Sequence, residues 1–133
     1  QAQNVAEKRG WIRTYGGRKC RYPLWEPQGF TTEKPLPYEE ALEVYGSRIK
    51  RANARKALNN LIQGSSADLM KMAMVRLYEE GFSVPMLTVH DELCFSLPPD
   101  YPVYKIKATM EDFNLRVPVI ADAESGPNWG ELE

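Results

Sequence analysis

The run Thr88-Val89-His90-Asp91-Glu92-Leu93 sets two carboxylates beside the only histidine of the chain, between two apolar stretches. Apolar residues leading into and out of a polar tip read as strand, turn and strand. Strands fix the backbone, so the carboxylates of Asp91 and Glu92 would project with little freedom. Phosphoryl transfer needs that rigidity, because oxygen ligands must hold Mg²⁺ in near-ideal octahedral geometry. The plainer reading also stands: Asp is a good turn residue, and His90 can serve as a local hydrogen-bonding partner. A single histidine with no cysteine at ligand spacing argues against a zinc site. The lack of a G-x-S-x-G-type elbow argues against a Ser-His-Asp hydrolase.

A second set comprises Arg48, Arg51, Arg55, Asn59 and Gln63. On a helix at 100° per residue, the first four fall within roughly 60–80° of one another, and Gln63 joins them if the helix continues. Arginines on one face suit phosphates. Asn and Gln beyond them suit minor-groove acceptors, which all four base pairs present in similar positions. Such a face would read duplex shape rather than sequence. An ordinary solvated helix face has the same composition. A third set, Tyr15-Gly-Gly-Arg18-Lys19-Cys-Arg21-Tyr22, would let a Gly-rich backbone and its cations approach phosphates, or would simply be a solubilising charged hairpin.

The elements that must position these residues follow from periodicity and punctuation. Residues 1–9 read as the end of a helix stopped by Gly10. Residues 11–14 and 19–22 read as a hairpin. Residues 23–46, with four prolines, read as a long surface loop carrying a short helical turn near Tyr38 to Val44. Ser47 is a candidate N-cap for a helix from Arg48 to about Leu58. A second helix is expected from Ser65 or Ser66 to Glu80, with Met70, Ala73, Met74 and Leu77 as its apolar stripe. Strands are expected over 84–89 and 92–97, a helix over 101–114 with Ile106, Met110 and Phe113 on one side, and a last strand over 117–123. The expected class is α+β, an antiparallel sheet with helices packed on one face, plus an N-terminal hairpin and a long loop.

With 133 residues and 43% hydrophobic content, the chain suits one domain with a modest core. No run has the roughly 18 apolar residues of a membrane helix, and residues 1–10 are too polar for a signal peptide. Cys20 and Cys94 read as reduced thiols of a cytosolic protein. The net charge of −1 conceals an asymmetry. Residues 1–59 hold 12 Lys/Arg against 6 Asp/Glu, and residues 60–133 hold 5 against 12. A basic half suits a phosphate backbone and an acidic half suits bound divalent cations, although scatter alone can produce such a split.

Four segments, taken in order, resemble the last third of the family A (bacterial DNA polymerase I-like) DNA polymerases. Val89-His-Asp91-Glu92-Leu93 resembles that family's motif C. Arg55-x-x-x-Asn59-x-x-x-Gln63-Gly-Ser-x-Ala-Asp68 resembles its R-x-x-x-N-x-x-x-Q-G-[ST]-x-A-D block. Thr14-x-x-Gly17-Arg18-Lys19 resembles its T-x-x-G-R-[RK] segment, and Gly126-Pro-Asn128-Trp129 resembles its G-x-N-W ending. The resemblance covers nearly the whole chain and implies a palm-type fold. It implies that Asp91 is one of two carboxylates binding a catalytic Mg²⁺ pair, that Glu92 is a weaker contributor, and that His90 sits near the primer terminus. It implies minor-groove contacts from Arg55, Asn59 and Gln63, and a DNA contact from Arg18. Primer-template DNA and deoxynucleoside triphosphates would be the partners, in the cytoplasm of a bacterial or phage-infected cell.

There are departures from the family pattern. Asn60-Leu61 stands where many relatives have Ala-Pro, so the junction before Gln63 is expected to differ. The stretch 23–46 is longer than in typical bacterial members, which suggests a phage-like version. The D-x-S-x-I-E-x-R segment and the R-x-x-x-K-x-x-x-[FY]-G helix are absent. One carboxylate cannot bracket two metals about 4 Å apart, so a second chain carrying the rest of the polymerase is expected. The alternative is a non-catalytic module that binds DNA or a partner. Residues 63–124 are expected to hold their own core. Trp11, Tyr22 and Trp25, lacking apolar periodicity around them, are expected to pack on the remainder of the polymerase, leaving residues 1–46 mobile in isolation.

Overall fold

Gly10 ends the first helix. A computed structural model describes residues 1–132. In it, α1 (Ala2–Arg9) gives way at Gly10, whose φ of 74° lies in the left-handed region that glycine tolerates best. Its N–H returns 2.8 Å to the Ala6 carbonyl. Strands β1 (Trp11–Arg13) and β2 (Lys19–Arg21) then pair antiparallel, with Ile12 opposite Cys20. The expected helix stop and hairpin are both present. The chain is mixed α+β, with four α-helices and three small two-stranded antiparallel sheets among the described residues. It forms two units, Gln1–Asp68 and the residues from Leu69 onward.

In the first unit, Ala6, Ile12, Tyr22, Ala54 and Ala57 form a buried cluster, with Val5, Cys20 and Leu61 packed against it. Tyr22 is thus covered by residues of this unit, and Trp25 is buried as well, contrary to the expectation that both pack on an outside partner, whereas Trp11 is half-buried. Tyr22 and Trp25 are 4% and 3% exposed. The phenol oxygen of Tyr22 accepts from Asn60 Nδ2 at 2.9 Å. Tyr22→Phe, which keeps the ring and removes that acceptor, is expected to lower stability by about 1 kcal/mol in urea unfolding. An unchanged midpoint would mean that the bond adds nothing over solvent.

Residues 23–46 are also more ordered than a loop. Strand β3 (Trp25–Pro27) and helix α2 (Tyr38–Tyr45) lie within them. Trp25 ties the segment together. Its N–H donates to Thr32 Oγ1 at 3.0 Å, its indole N–H donates to the Leu36 carbonyl at 2.8 Å, and its ring lies 5.6 Å from that of Tyr38. The helix expected from Arg48 does not form. Strand β4 (Ile49–Arg51) pairs with β3 instead, Trp25 opposite Arg51 and Pro27 opposite Ile49. Asn53, at φ 60°, then breaks any helical run, and a 3₁₀ turn (Ala54–Lys56) leads into α3 (Ala57–Glu79). Tertiary pairing has overridden local preference here. With no proline at Asn60-Leu61, α3 continues unbroken where two helices were expected.

In the second unit, Ala73 and Leu77 of the predicted stripe are buried, as are Ile106 and Thr109 of α4 (Val103–Glu111). Strands β5 (Leu87–Val89) and β6 (Glu92–Cys94) are three residues each. Pro85 shortens the first, since proline removes a ladder donor. The strand expected over 117–123 is absent. Pro118 lacks a donor, and the Ala121 N–H is taken by Glu111 Oε1 at 2.9 Å, so no ladder can run there. Among the described residues, no helix is long and apolar enough to cross a membrane.

Candidate nucleic-acid interface

The β1–β2 hairpin closes through a tight turn in which Gly17 N donates to the Thr14 carbonyl at 3.0 Å, with Gly17 at φ 87°. Its tip is clasped to one turn of α3. Tyr15 N donates to Ser65 Oγ at 3.0 Å, and Gly16 N to Asp68 Oδ2 at 3.0 Å. Arg18 Nε meets Asp68 Oδ1 at 2.5 Å while its Nη2 donates to the Gly64 carbonyl at 2.8 Å. Two glycines permit this approach. A Cβ on Gly16 would stand 2.8 Å from Asp68 Cγ, and one on Gly64 would stand 2.8 Å from Thr14 Cγ2. The Asp68 side chain is 6% exposed. Burial acts to raise its pKa, but hydrogen bonds from Thr14, Arg18 and Gly16, with the charge of Arg18, outweigh burial and hold it below the usual carboxylate range.

The clasp orients Arg18 without enclosing it, since its side chain is 54% exposed. On the same helix, Asn59 and Gln63 stand at i, i+4 on one face, both exposed. Arg55, also exposed, precedes them in the 3₁₀ turn. Arg48 and Arg51 do not extend this face as a helical stripe, because both belong to the β4 region. Arg51 is engaged within the fold. Its guanidinium lies 4.3 Å from the centre of the Trp25 ring and donates to the carbonyls of Glu7 at 3.2 Å and Tyr22 at 3.0 Å. Burial pushes its pKa down. Arg48, Arg51 and Arg55 nevertheless line one open depression of about 450 Å³, together with Lys50 and Asn53.

In the second unit, Val89 pairs with Glu92, so His90 and Asp91 alone form the turn between β5 and β6. His90 adopts φ 53°. Two-residue hairpin loops require a positive φ to match strand twist, and histidine reaches that region at some cost in strain. His90, Asp91 and Glu92 are all exposed. The turn thus presents the Asp91 carboxylate to solvent, and the first residue of β6 presents that of Glu92. Among the described residues, no three His, Cys, Asp or Glu side chains gather as a metal-binding group. The donors suit a hard divalent cation in kind, and are too few to complete its coordination.

Ser65, expected only as a helix start, and Asp68, expected in no role, are the residues of α3 that hold the hairpin tip. The available signal was Gly64. A glycine inside an otherwise helical pattern costs about 1 kcal/mol against alanine, and often marks a close backbone approach. Which segment approaches it is not visible in one dimension.

The family model of DNA polymerase family A matches residues 1–131. A DNA polymerase I of Borreliella burgdorferi is 41% identical over 62% of the chain and 10% of its own length. A DNA-directed DNA polymerase of Pseudomonas phage M6 is 34% identical over 91% of the chain and 15% of its own length. A DNA polymerase I of Rhizobium leguminosarum is 31% identical over 96% of the chain and 12% of its own length. The chain therefore spans a small part of each relative. No solved structure matches it.

Proposed function

Since this chain belongs to DNA polymerase family A, we propose that it supplies part of a template-directed polymerase active site, together with part of the surface that holds primer-template DNA. The observation that carries this reading is the exposed pair of Asp91, on a two-residue turn with His90 in the left-handed region, and Glu92, which opens the following strand. Strained backbone at a polar tip is an arrangement found at functional sites. Asp91, with Glu92 as a weaker contributor, would hold part of the coordination sphere of a divalent cation, Mg²⁺ in the family. When bound, such cations supply charge neutralisation at the reacting phosphate and favour the attacking hydroxyl as a nucleophile. The remaining ligands and the nucleotide-binding helix would come from polymerase residues outside this chain, whether on the same polypeptide or on a second one. His90 would face the primer terminus.

Asn59 and Gln63 would donate to minor-groove acceptors, with Arg55 beside them and Arg18, oriented by its clasp, on the phosphates. Arg48 and Arg51 belong to the same proposed surface, Arg51 through the wall it builds rather than through free donors. Deoxynucleoside triphosphates and primer-template DNA are the substrates of this reading. A cytoplasmic setting accompanies it, in keeping with the free thiols of Cys20 and Cys94.

The groove contact has a specific signature. Gln63→Ala and Arg55→Ala, in the polymerase containing this segment, are expected to slow single-nucleotide insertion by about 1–3 kcal/mol each. The loss should be similar opposite all four template bases, because the acceptors contacted are shared by all base pairs. Insertion kinetics on four templates decide the point. A loss confined to one template base would contradict minor-groove contact by these side chains.

A further inference from the structure

Residues 23–46, which carry β3 and α2, also help to bound a hollow in the first unit. The open depression of about 450 Å³ in the first unit is bounded on one side by Glu26, Gln28 and Gly29 of this segment. Gln28 and Gly29 both take positive φ, 46° and 93°, which closes a turn with Phe30 N donating to the Pro27 carbonyl at 3.4 Å. The other side carries Arg48, Lys50, Arg51 and Arg55. Arg48, Lys50 and Arg55 are all exposed, and none forms an ion pair among the described residues, although Glu7 and Glu26 also line the hollow. Arg51 spends its donors on backbone carbonyls and its face on Trp25, and so sets the geometry of the wall.

Three cations left unpaired around one hollow repel each other, and an anion seated among them relieves that repulsion. The amide side chains of Gln28 and Asn53 add donors suited to oxygen. Lys50 lies opposite Glu26 in the β3–β4 register, so the segment that supplies Gln28 also fixes where Lys50 stands. Arg55 borders both this hollow and the helix face of Asn59 and Gln63. We propose that the depression seats a backbone phosphate of the nucleic-acid strand whose groove edge meets Asn59 and Gln63, and that residues 23–46 serve to wall that seat. This rests on the DNA-binding reading given above.

The test is fluorescence anisotropy of a labelled primer-template duplex with this chain, over a series of salt concentrations. Arg48→Ala and Lys50→Ala should each weaken binding uniformly across duplex sequences. Each should also reduce the slope of log affinity against log salt by about 0.9, the value for one phosphate contact on duplex DNA. Lys34→Ala, in the same segment but outside the hollow, should leave the slope unchanged. If Gln63→Ala weakens binding while Arg48→Ala and Lys50→Ala keep the full slope, the phosphate seat is overturned and the groove contact survives. If no variant alters duplex binding, or the chain binds no duplex, both fall. Inorganic phosphate titrated alone, followed by the amide resonances of Gln28 and Lys50, should not saturate. Saturation there with unchanged duplex slopes would assign the hollow to a free anion and overturn the strand assignment.

Discussion

Asp91→Ala is expected to reduce primer extension by at least roughly 1,000-fold in a polymerase that contains this segment, with duplex affinity nearly unchanged. Losing a metal ligand misplaces the attacking and leaving oxygens together, a loss of several kcal/mol, and each ~1.4 kcal/mol is tenfold in rate. The substitution itself should be well tolerated by the fold. Asp91 is exposed, at a turn between three-residue strands. Asp91→Asn separates the two explanations further: it keeps a good turn residue and removes only the charge. Both variants should fail alike in kcat under saturating duplex. Glu92→Ala should cost less. Because no three His, Cys, Asp or Glu side chains gather among the described residues, the chain by itself should extend no primer. Near-normal rates for Asp91→Asn, or extension by the isolated chain above a buffer control, would sink the assignment.

Asp68→Ala should cost the first unit about 2–4 kcal/mol of stability. The substitution strips Gly16 N and Arg18 Nε of their acceptor and leaves a void where the carboxylate stood. Arg18 is half exposed and can turn to solvent, which keeps the loss below that of a fully buried pair. The pH dependence has a definite sign. The Asp68 pKa is lower in the folded chain than in an ordinary carboxylate. Its contribution is therefore complete above the unfolded value near ~3.9 and is lost as pH falls through the folded value. Urea midpoints should fall on acidification in the parent more steeply than in Asp68→Asn. Equal acid slopes for the two proteins would show that Asp68 is not held ionised by the clasp. Gly64→Val provides a second check, since its side chain would meet Thr14 and should destabilise the hairpin while leaving the Asp68 carboxylate in place.

The local elements that need only neighbours were legible in the sequence. Gly10 as a helix stop, the Gly16-Gly17 hairpin, the Ala73–Leu77 stripe and the turn at His90-Asp91 all follow from periodicity, turn chemistry and backbone freedom. Those rules act over a few residues and are written where they act. The membership of the chain in its polymerase family was legible for a related reason: four short patterns occur in a fixed order. Tertiary structure decided what depends on a distant partner. Ile49–Arg51 became a strand because Trp25–Pro27 offers it an edge, and a helix-compatible run of arginines was thereby turned into the lining of a hollow. Residues 117–123 have strand-like composition and found no ladder, since a strand is stabilised only by the strand beside it. Asp68 carried no visible role until the fold brought Gly16 and Arg18 to it across about fifty residues. A buried carboxylate is tolerated only where donors converge on it, and convergence is a property of the folded chain, not of spacing along it.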